Sequence, residues 1–567
     1  MTEEIAGFGC PTKNSSTISA SLARGLVDLG VEDVFTIIGG GIAPLIDALR
    51  RNGLRIRHFR HEGGAAFAAH EASMVSGKPV AICVTTGPGI YNALTGIAAA
   101  KADGGRIVLL SGTTSPAMRG RGAVQETGFE TMPVEIFTAG RLFHVARIIC
   151  DARELPTIFS QLQVGFRQTG GFSAHLSLPL SLQDAEDAPF EIPPIMVHEL
   201  RASKNALRDV VSRLAGRRFG LWLGYGARNA TNEIRAFVSR TGCGVIATPR
   251  AKGFFPENDP HYVGVSGAGA HPSVQQYMQT FAPEVLLVLG SRLGEVSSFW
   301  NPAMVPSKGF IHVDIDPSAF GSAYPHANTL GVISQIRIFM EDLLEQWPID
   351  APRQTRHNHA LAPMPVLIAR DEPLVRTPFL LQEIQRVIVE QSNSIVMAES
   401  GSSFAWANHA LRFLTPNRYR TSASFGSMGH FVTGVVGAAL KSPNPAVVIS
   451  GDGAMLMNNE INTAVKYDAH AIWIVLNDAR YGLTEYGLQA LGIEPLETRL
   501  PETNFALFAE AQGARGRVVT RENEIADALQ ESLNVRGPFV LDVRIDPHDV
   551  APMLATRIAS LTKQRRG

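Results

Sequence analysis

The chain has 567 residues, and its 51 lysines and arginines against 52 aspartates and glutamates give a formal net charge of −1. This balance creates no field that would recruit nucleic acid or an anionic membrane, so small molecules are the expected ligands. With 45% hydrophobic and 18% charged residues, the composition predicts a large buried interior. No apolar stretch reaches the roughly 20 residues that a membrane-spanning helix needs.

The N-terminal residues, MTEEIAGFGC, contain no basic segment followed by an apolar one, so we predict no secretory signal. Four widely separated cysteines form no metal-type pair and favour a reducing compartment: Cys10, Cys83, Cys150 and Cys243. We therefore expect a soluble protein located in the cytoplasm.

The length suggests three domains, because single domains usually hold about 100 to 200 residues. Residues 183–194 are acidic and contain prolines, and residues 348–373 are rich in proline, so both read as linkers. The predicted domains are residues 15–185, 195–348 and 372–550. Short apolar runs alternate with helical patterns in each, which predicts an α/β fold of three doubly wound parallel sheets.

In the first domain, a carboxylate follows a short predicted strand. Glu62 ends the segment IRHFRHE and begins an alanine-rich helix. A glutamate in the first turn of a helix often serves only the helix macrodipole, so the position alone does not establish a catalytic role.

Two further loops of this domain carry candidate residues. A predicted strand over residues 80–85 leads into Thr86-Gly87-Pro88-Gly89, which by itself is a tight turn before a helix over residues 90–102. Gln125 lies in a later loop, where a glutamine is usually solvated.

The second domain contains apolar strands that end near residues 226, 250 and 290, followed by the string HVDIDP at 312–317. Residues 223–227, LGYGA, resemble part of a dinucleotide turn. Position 229 is Asn, however, so the full Gly-x-Gly-x-x-Gly fingerprint is absent and a nicotinamide oxidoreductase is not favoured.

In the third domain, Glu399-Ser400-Gly401-Ser402-Ser403 follows the apolar strand 395–398. Its hydroxyls and amides suit either phosphate oxygens or the cap of a helix. Farther on, Gly426 and Met428 precede a helix of small residues, a place where methionine is often core filler.

The most informative segment runs from Gly451-Asp452-Gly453 to Asn477-Asp478. It reads as a strand, a tight turn, a helix over residues 455–466 and a second strand over 471–476. Parallel neighbours joined by a helix place Asp452 and Asp478 at one sheet edge. Such carboxylates suit Mg²⁺ bound together with a diphosphate, although Asp452 alone could also be a helix cap.

Together these motifs resemble thiamine diphosphate-dependent enzymes, in particular acetolactate synthases, over about residues 15–550. The resemblance implies that Asp452, Asp478 and the backbone carbonyl of Arg480 hold magnesium. Most acetohydroxyacid synthases have Asn at the position of Asp478, so this residue is a departure.

The resemblance also assigns roles to other residues. Glu62 would hydrogen-bond to N1′ of the cofactor aminopyrimidine, Gln125 would reach the reacting centre, and Met428 would hold the cofactor in a bent shape. The remaining implied cofactor contacts are Gly87, Gly401, Ser402, Ser403, Gly426, Gly451, Gly453 and Ala454. FAD in the middle domain is possible but not favoured.

The family further implies a carboligase that decarboxylates a 2-oxo acid such as pyruvate and adds the resulting enamine to a second carbonyl compound. The alternative is a simple 2-oxo acid decarboxylase that releases an aldehyde. A noncatalytic cofactor-binding subunit is disfavoured, because both Glu62 and Asp452 are present. The family builds its site between the first domain of one chain and the third domain of another, which implies a homodimer or homotetramer.

Overall fold

A computed structural model describes residues 16–187, 190–354, 358–422 and 424–552. Cys10 and the basic end beyond residue 552 lie outside this range. The chain divides into two compact units, residues 1–197 and 198–567.

The first unit is built on a six-stranded parallel sheet in the order β3-β2-β4-β5-β7-β6, with a short antiparallel pair formed by β1 and β8. Its strands are β1 Ser16–Thr17, β2 Asp33–Thr36, β3 Arg55–His58, β4 Val80–Val84, β5 Arg106–Thr113, β6 Val145–Ile148, β7 Phe172–Pro179 and β8 Glu186–Asp187. Its helices are α1 Ile18–Asp28, α2 Ala43–Arg51, α3 Glu62–Ser76, α4 Pro88–Asp103, α5 Leu155–Phe166 and α6 Leu180–Gln183. Apolar residues of α1, α2 and α5 pack on one face of the sheet, and α3 packs against α4.

The second unit contains two more six-stranded parallel sheets. The middle sheet has the order β11-β10-β9-β12-β13-β14. Its strands are β9 Phe219–Leu223, β10 Gly244–Ala247, β11 Tyr262–Val265, β12 Val285–Leu289, β13 Phe310–Asp314 and β14 Thr329–Ile333. Its helices are α7 Lys204–Leu214, α8 Thr231–Thr241, α9 Pro272–Gln276, α10 Glu295–Ser298 and α11 Ile336–Gln346.

The C-terminal sheet has the order β16-β15-β17-β18-β20-β19. Its strands are β15 Ile395–Ala398, β16 Tyr419–Thr421, β17 Ala446–Gly451, β18 Ala471–Asn477, β19 Arg515–Val519 and β20 Phe539–Arg544. Its helices are α12 Thr377–Glu383, α13 Ser402–Ala410, α14 His430–Lys441, α15 Asp452–Met457, α16 Ile461–Lys466, α17 Gly482–Ala490, α18 Phe505–Glu510 and α19 Ile525–Asn534.

These three sheets confirm the predicted fold class. When the six parallel strands of each sheet are numbered in chain order, the first and third sheets both read 2-1-3-4-6-5, whereas the middle sheet reads 3-2-1-4-5-6. In such open sheets ligands bind at the carboxyl ends of the strands, near the point where the strand order reverses. The exact domain boundaries stay predictions.

The predicted single helix over residues 455–466 is wrong, because it is two helices. The first, α15, ends at Met457, and the second, α16, begins at Ile461. Glu460 between them has a left-handed backbone with φ of 55°, which no continuous right-handed helix can contain. The Asn459 side chain accepts a hydrogen bond from the amide of Ile461, the first residue of the second helix, at 3.2 Å.

Within the described ranges, no helix combines the length and the apolar character needed to cross a membrane.

Candidate active site

The C-terminal sheet brings two carboxylates to one edge. Strands β17 and β18 are adjacent and parallel, with Gly451 paired to Leu476. Asp452 follows β17 directly, and Asp478 follows β18. The predicted juxtaposition of the two aspartates at the carboxyl ends of neighbouring strands is therefore what the structure shows.

Asp452 is buried and held by the backbone on both sides. Its Oδ1 accepts a hydrogen bond from the Gly453 amide at 2.7 Å, and its Oδ2 accepts one from the Arg480 amide at 3.3 Å. Burial and the nearby charge of Asp478 raise the pKa of Asp452 to about 6. A buried Asp452 whose ionisation is opposed by the partly buried Asp478 forms with it a donor set that a divalent cation would stabilise, so these residues fit magnesium.

Asp478 has a strong side-chain partner that the sequence did not reveal. Arg480 donates from Nε to Asp478 Oδ2 at 2.6 Å, and its Nη1 lies 3.2 Å from Glu485 Oε1. Burial raises the pKa of Asp478, and the Arg480 guanidinium acts in the opposite direction.

The turn around Gly453 leaves no room for a side chain. A Cβ atom on Gly453 would lie 2.5 Å from Cε1 of the Tyr481 ring, which is far closer than real carbon contacts. Gly451, by contrast, has no neighbour within 4 Å of such an atom, and Ala454 is buried one residue farther into α15. The first turn of α15 therefore lies against the Tyr481 ring, in the loop after β18, at Gly453.

The loop after β15 leads into α13, as expected for a phosphate-binding turn. Gly401 has φ of 130°, a conformation that favours glycine, and it precedes the first helical residue, Ser402. The Ser403 hydroxyl donates to the Glu399 carbonyl at 2.8 Å. The side chain of Ser403 is thus engaged by the loop that precedes α13, and its backbone amide at the helix N-terminus is the group suited to an anion.

Glu399 connects this loop with the segment around Met428. Its fully buried carboxylate accepts hydrogen bonds from the Ser400 amide at 2.8 Å and, at the start of α14, from the amides of Phe431 at 2.7 Å and Val432 at 3.0 Å. Burial raises the pKa of Glu399. Sequence reasoning assigned no role to this residue, although an acidic side chain directly after an apolar strand was a usable signal.

Gly426 and Met428 lie just before α14. Gly426 has φ of 65°, and its amide lies 3.5 Å from the Ser422 hydroxyl, whereas Met428 is half-buried. The helix α14, which follows Met428, is also tied to the sheet. The buried Trp473 of β18 donates from its indole nitrogen to the Val432 carbonyl of α14 at 2.8 Å.

In the first unit, Glu62 is the first residue of α3 and is buried. The Asn92 side chain, on α4, donates to Glu62 Oε2 at 3.0 Å. A Cβ on Gly89 would lie 3.3 Å from Glu62 Oε1. Glu62 is therefore enclosed between α3 and the start of α4, and Asn92 is a contact that the sequence motif did not indicate.

Gly87 and Gln125 meet at the same end of the sheet. The Gly87 amide donates to the Thr127 hydroxyl at 2.7 Å, and the Thr86 hydroxyl donates to Gln125 Oε1 at 3.1 Å. Both Gly87 and Gln125 have positive φ, at 62° and 54°. The neighbouring Val124 is 92% exposed, so this loop presents an uncovered apolar side chain.

The chain belongs to the thiamine pyrophosphate enzyme family. It matches the N-terminal TPP binding domain over residues 16–132, the central domain over 209–343 and the C-terminal TPP binding domain over 399–543. The protein is therefore a thiamine diphosphate-dependent enzyme, and the predicted resemblance is confirmed.

Similar proteins extend along nearly the whole chain. Acetolactate synthase isozyme 1 large subunit of Escherichia coli is 29% identical over 569 residues, which cover 96% of both chains. The probable chloroplastic acetolactate synthase 2 of rice is 29% identical over 563 residues, covering 93% of this chain and 82% of the relative. The putative thiamine pyrophosphate-containing protein YdaP of Bacillus subtilis is 27% identical over 544 residues, covering 93% and 92%.

Proposed function

We propose that the protein is a thiamine diphosphate- and magnesium-dependent carboligase. It would decarboxylate a 2-oxo acid such as pyruvate and add the remaining acyl fragment to a second carbonyl compound. The observation that carries this proposal is the pair of carboxylates, the buried Asp452 and the partly buried Asp478, at adjacent strand ends in a chain whose similarity to acetolactate synthases extends over nearly its full length.

The metal and the diphosphate would be held by the C-terminal sheet. Asp452 and Asp478 supply carboxylate oxygens for Mg²⁺, and the backbone carbonyl of Arg480 adds a third oxygen. Gly401, Ser402 and Ser403 direct the amides at the start of α13 toward phosphate oxygens, and Gly451, Gly453 and Ala454 complete that wall of the site. Gly426 and Met428 would form the apolar support beneath the cofactor.

The N-terminal sheet would supply the proton chemistry. Bound thiamine diphosphate serves as the electron sink for loss of carbon dioxide from a 2-oxo acid. Glu62 keeps Oε2 in the hydrogen bond with Asn92, so Oε1 is the atom that would hold or move a proton. Gly87 would line the aminopyrimidine side, and Gln125 would contact the substrate.

We further propose a homodimer or homotetramer, in which Glu62 of one chain serves a site with Asp452 of another, and a cytoplasmic location. The described cysteines, Cys83, Cys150 and Cys243, are all free, which supports a reducing compartment. FAD is not part of the proposal.

The experiment is product analysis with thiamine diphosphate, Mg²⁺ and a panel of 2-oxo acids that includes pyruvate. A carboligase that uses pyruvate as both donor and acceptor consumes two molecules of acid for each carbon dioxide released, and it yields acetolactate. Acetaldehyde at one molecule per carbon dioxide, without acetolactate or an acyloin, would establish the decarboxylase instead. Omission of Mg²⁺ after chelation should abolish turnover and tests the metal separately.

A further inference from the structure

We propose that the side chain of Arg480 is a positioning residue that adapts the metal site to an aspartate at position 478. This inference rests on the proposed function, because it takes Asp452 and Asp478 as the metal ligands. It concerns the guanidinium of Arg480 and not its backbone carbonyl.

Arg480 and Asp478 are in direct contact. Nε of Arg480 donates to Oδ2 of Asp478 at 2.6 Å, and both side chains are largely withdrawn from water, at 15% and 11% exposure. A short charge-assisted hydrogen bond of this kind fixes the plane of the carboxylate. Oδ2 is thereby engaged, and Oδ1 becomes the oxygen through which Asp478 would bind a cation.

Arg480 is itself held in place by several hydrogen bonds. Its Nη1 lies 3.2 Å from Glu485 Oε1, its Nη2 donates to the Pro547 carbonyl, and its backbone amide donates to Asp452 Oδ2 at 3.3 Å. Arg480 therefore contacts both proposed ligands while its fork is anchored elsewhere in the C-terminal domain. A rigid fork is a property of arginine that lysine lacks.

Arg480 also offsets part of the negative charge at the proposed metal position. Two aspartates place two negative charges at the metal position, and the guanidinium returns the local sum to one negative charge. Glu485 is buried and is balanced by a second arginine, since Arg499 Nη2 lies 3.2 Å from the same Oε1 atom. Loss of one member of such a desolvated set leaves another charge without compensation.

Arg499 is also the matched control. It shares the acceptor Glu485 with Arg480, but its side chain is 70% exposed. Arg499→Gln removes a positive charge from the same cluster while the hydrogen bond between Arg480 and Asp478 remains in place. A general effect of cluster charge would change both arginine variants alike, whereas a positioning role distinguishes them.

The test is Mn²⁺ binding to the full-length protein with saturating thiamine diphosphate. The electron paramagnetic resonance signal of free Mn²⁺ measures the binding, and Mg²⁺ serves as the competitor. Asp478→Asn should weaken Mn²⁺ binding by about tenfold or more, because Arg480 then repels the cation without its partner. In that background Arg480→Gln should recover most of the loss, whereas in the wild-type background the same change should give no gain.

The inference is overturned if Arg480→Gln weakens Mn²⁺ binding in both backgrounds, or if Arg499→Gln reproduces its effects. Arg480→Lys provides a second variant should Arg480→Gln fold poorly: it keeps the charge and should leave Asp478→Asn unrescued, and rescue by lysine would contradict the charge argument. Failure of the proposed metal site has a different signature, because Asp452→Asn would then leave wild-type Mn²⁺ affinity unchanged.

Discussion

The N-terminal and C-terminal sheets have the same strand order, yet they carry different chemistry at equivalent positions. At the carboxyl end of the third strand, the N-terminal sheet leads into Gly87-Pro88-Gly89, and the C-terminal sheet leads into Gly451-Asp452-Gly453. The N-terminal sheet places its buried carboxylate, Glu62, after the second strand instead. One topology thus presents a single proposed proton-transfer group in one sheet and a proposed cation-binding pair in the other.

The largest expected effect comes from removing either chemistry. Glu62→Gln and Asp452→Asn should each lower kcat by about 10²–10⁴, because a positioned proton-transfer group contributes on that scale and the metal position anchors the cofactor. Thiamine diphosphate affinity should separate them: Glu62→Gln keeps most of it, and Asp452→Asn loses it. Full turnover by Glu62→Gln would show that Glu62 does not transfer a proton in the reaction.

Mixing the two inactive variants tests whether the sheets of different chains cooperate. If each site combines Glu62 of one chain with Asp452 of another, random reassociation regenerates intact sites and should restore about a quarter of wild-type activity in a symmetric dimer. The measurement is turnover after joint refolding or co-expression. Sites confined to single chains would give no recovery.

The sixth strands in chain order, β7 and β20, carry different buried ionisable groups, His175 and Asp542. We expect these groups to change the stability of the fold in opposite directions with pH. Burial lowers the pKa of His175 in β7 from 6.5 to about 4, so the folded state stays neutral where the unfolded state binds a proton. Stability is therefore lost as pH falls from 6.5 toward 4, by about 3 kcal/mol. Burial raises the pKa of Asp542 in β20, so its contribution to stability instead falls as pH rises through that raised pKa.

Hydrogen exchange of peptides from β7 and β20, measured from pH 7 to 4 and corrected for intrinsic rates, checks this contrast. His175→Gln should make the acid loss around β7 shallower, and Asp542→Asn should make the loss around β20 steeper. If stability falls with pH in both variants as steeply as in the wild type, neither group governs the acid response.

The smallest effect concerns the equivalent glycines Gly453 and Gly89. Gly453→Ala should destabilise the C-terminal domain by about 1–3 kcal/mol, because the added methyl meets the Tyr481 ring at 2.5 Å. Gly89→Ala should cost less, since its closest contact is 3.3 Å and alanine favours the helix. Thermal unfolding measures both, and Tyr481→Ala should relieve the cost at position 453 while leaving that at position 89.

The sequence predicted the interior strands well and missed five of the edge strands. Most of the predicted strands were continuous apolar runs, which is the pattern of a parallel strand covered on both faces. The edge strand β19, by contrast, is partly exposed and contains two arginines, so it lacks that pattern. The edge strand β3 was found only because it leads to Glu62.

At the candidate site, the motifs predicted which strand ends carry the polar residues but not their side-chain partners. The contacts of Glu62 with Asn92 and of Glu399 with Phe431 join residues about thirty positions apart. Such pairs depend on how helices dock on the sheet, and no local pattern encodes that docking. Arg480 lies only two residues from its partner Asp478, yet its orientation also involves the contact with Glu485.

The hydrogen bond from Trp473 to the Val432 carbonyl gives the protein an intrinsic optical reporter. Trp473, one of five tryptophans, lies on β18, the strand that directly precedes Asp478, and its partner Val432 belongs to the helix that follows Met428. We therefore expect its emission to respond to changes in these two segments, which carry proposed cofactor-site residues. The difference in fluorescence between the wild type and Trp473→Phe would let a stopped-flow titration time the arrival of thiamine diphosphate in the apoenzyme without any added label.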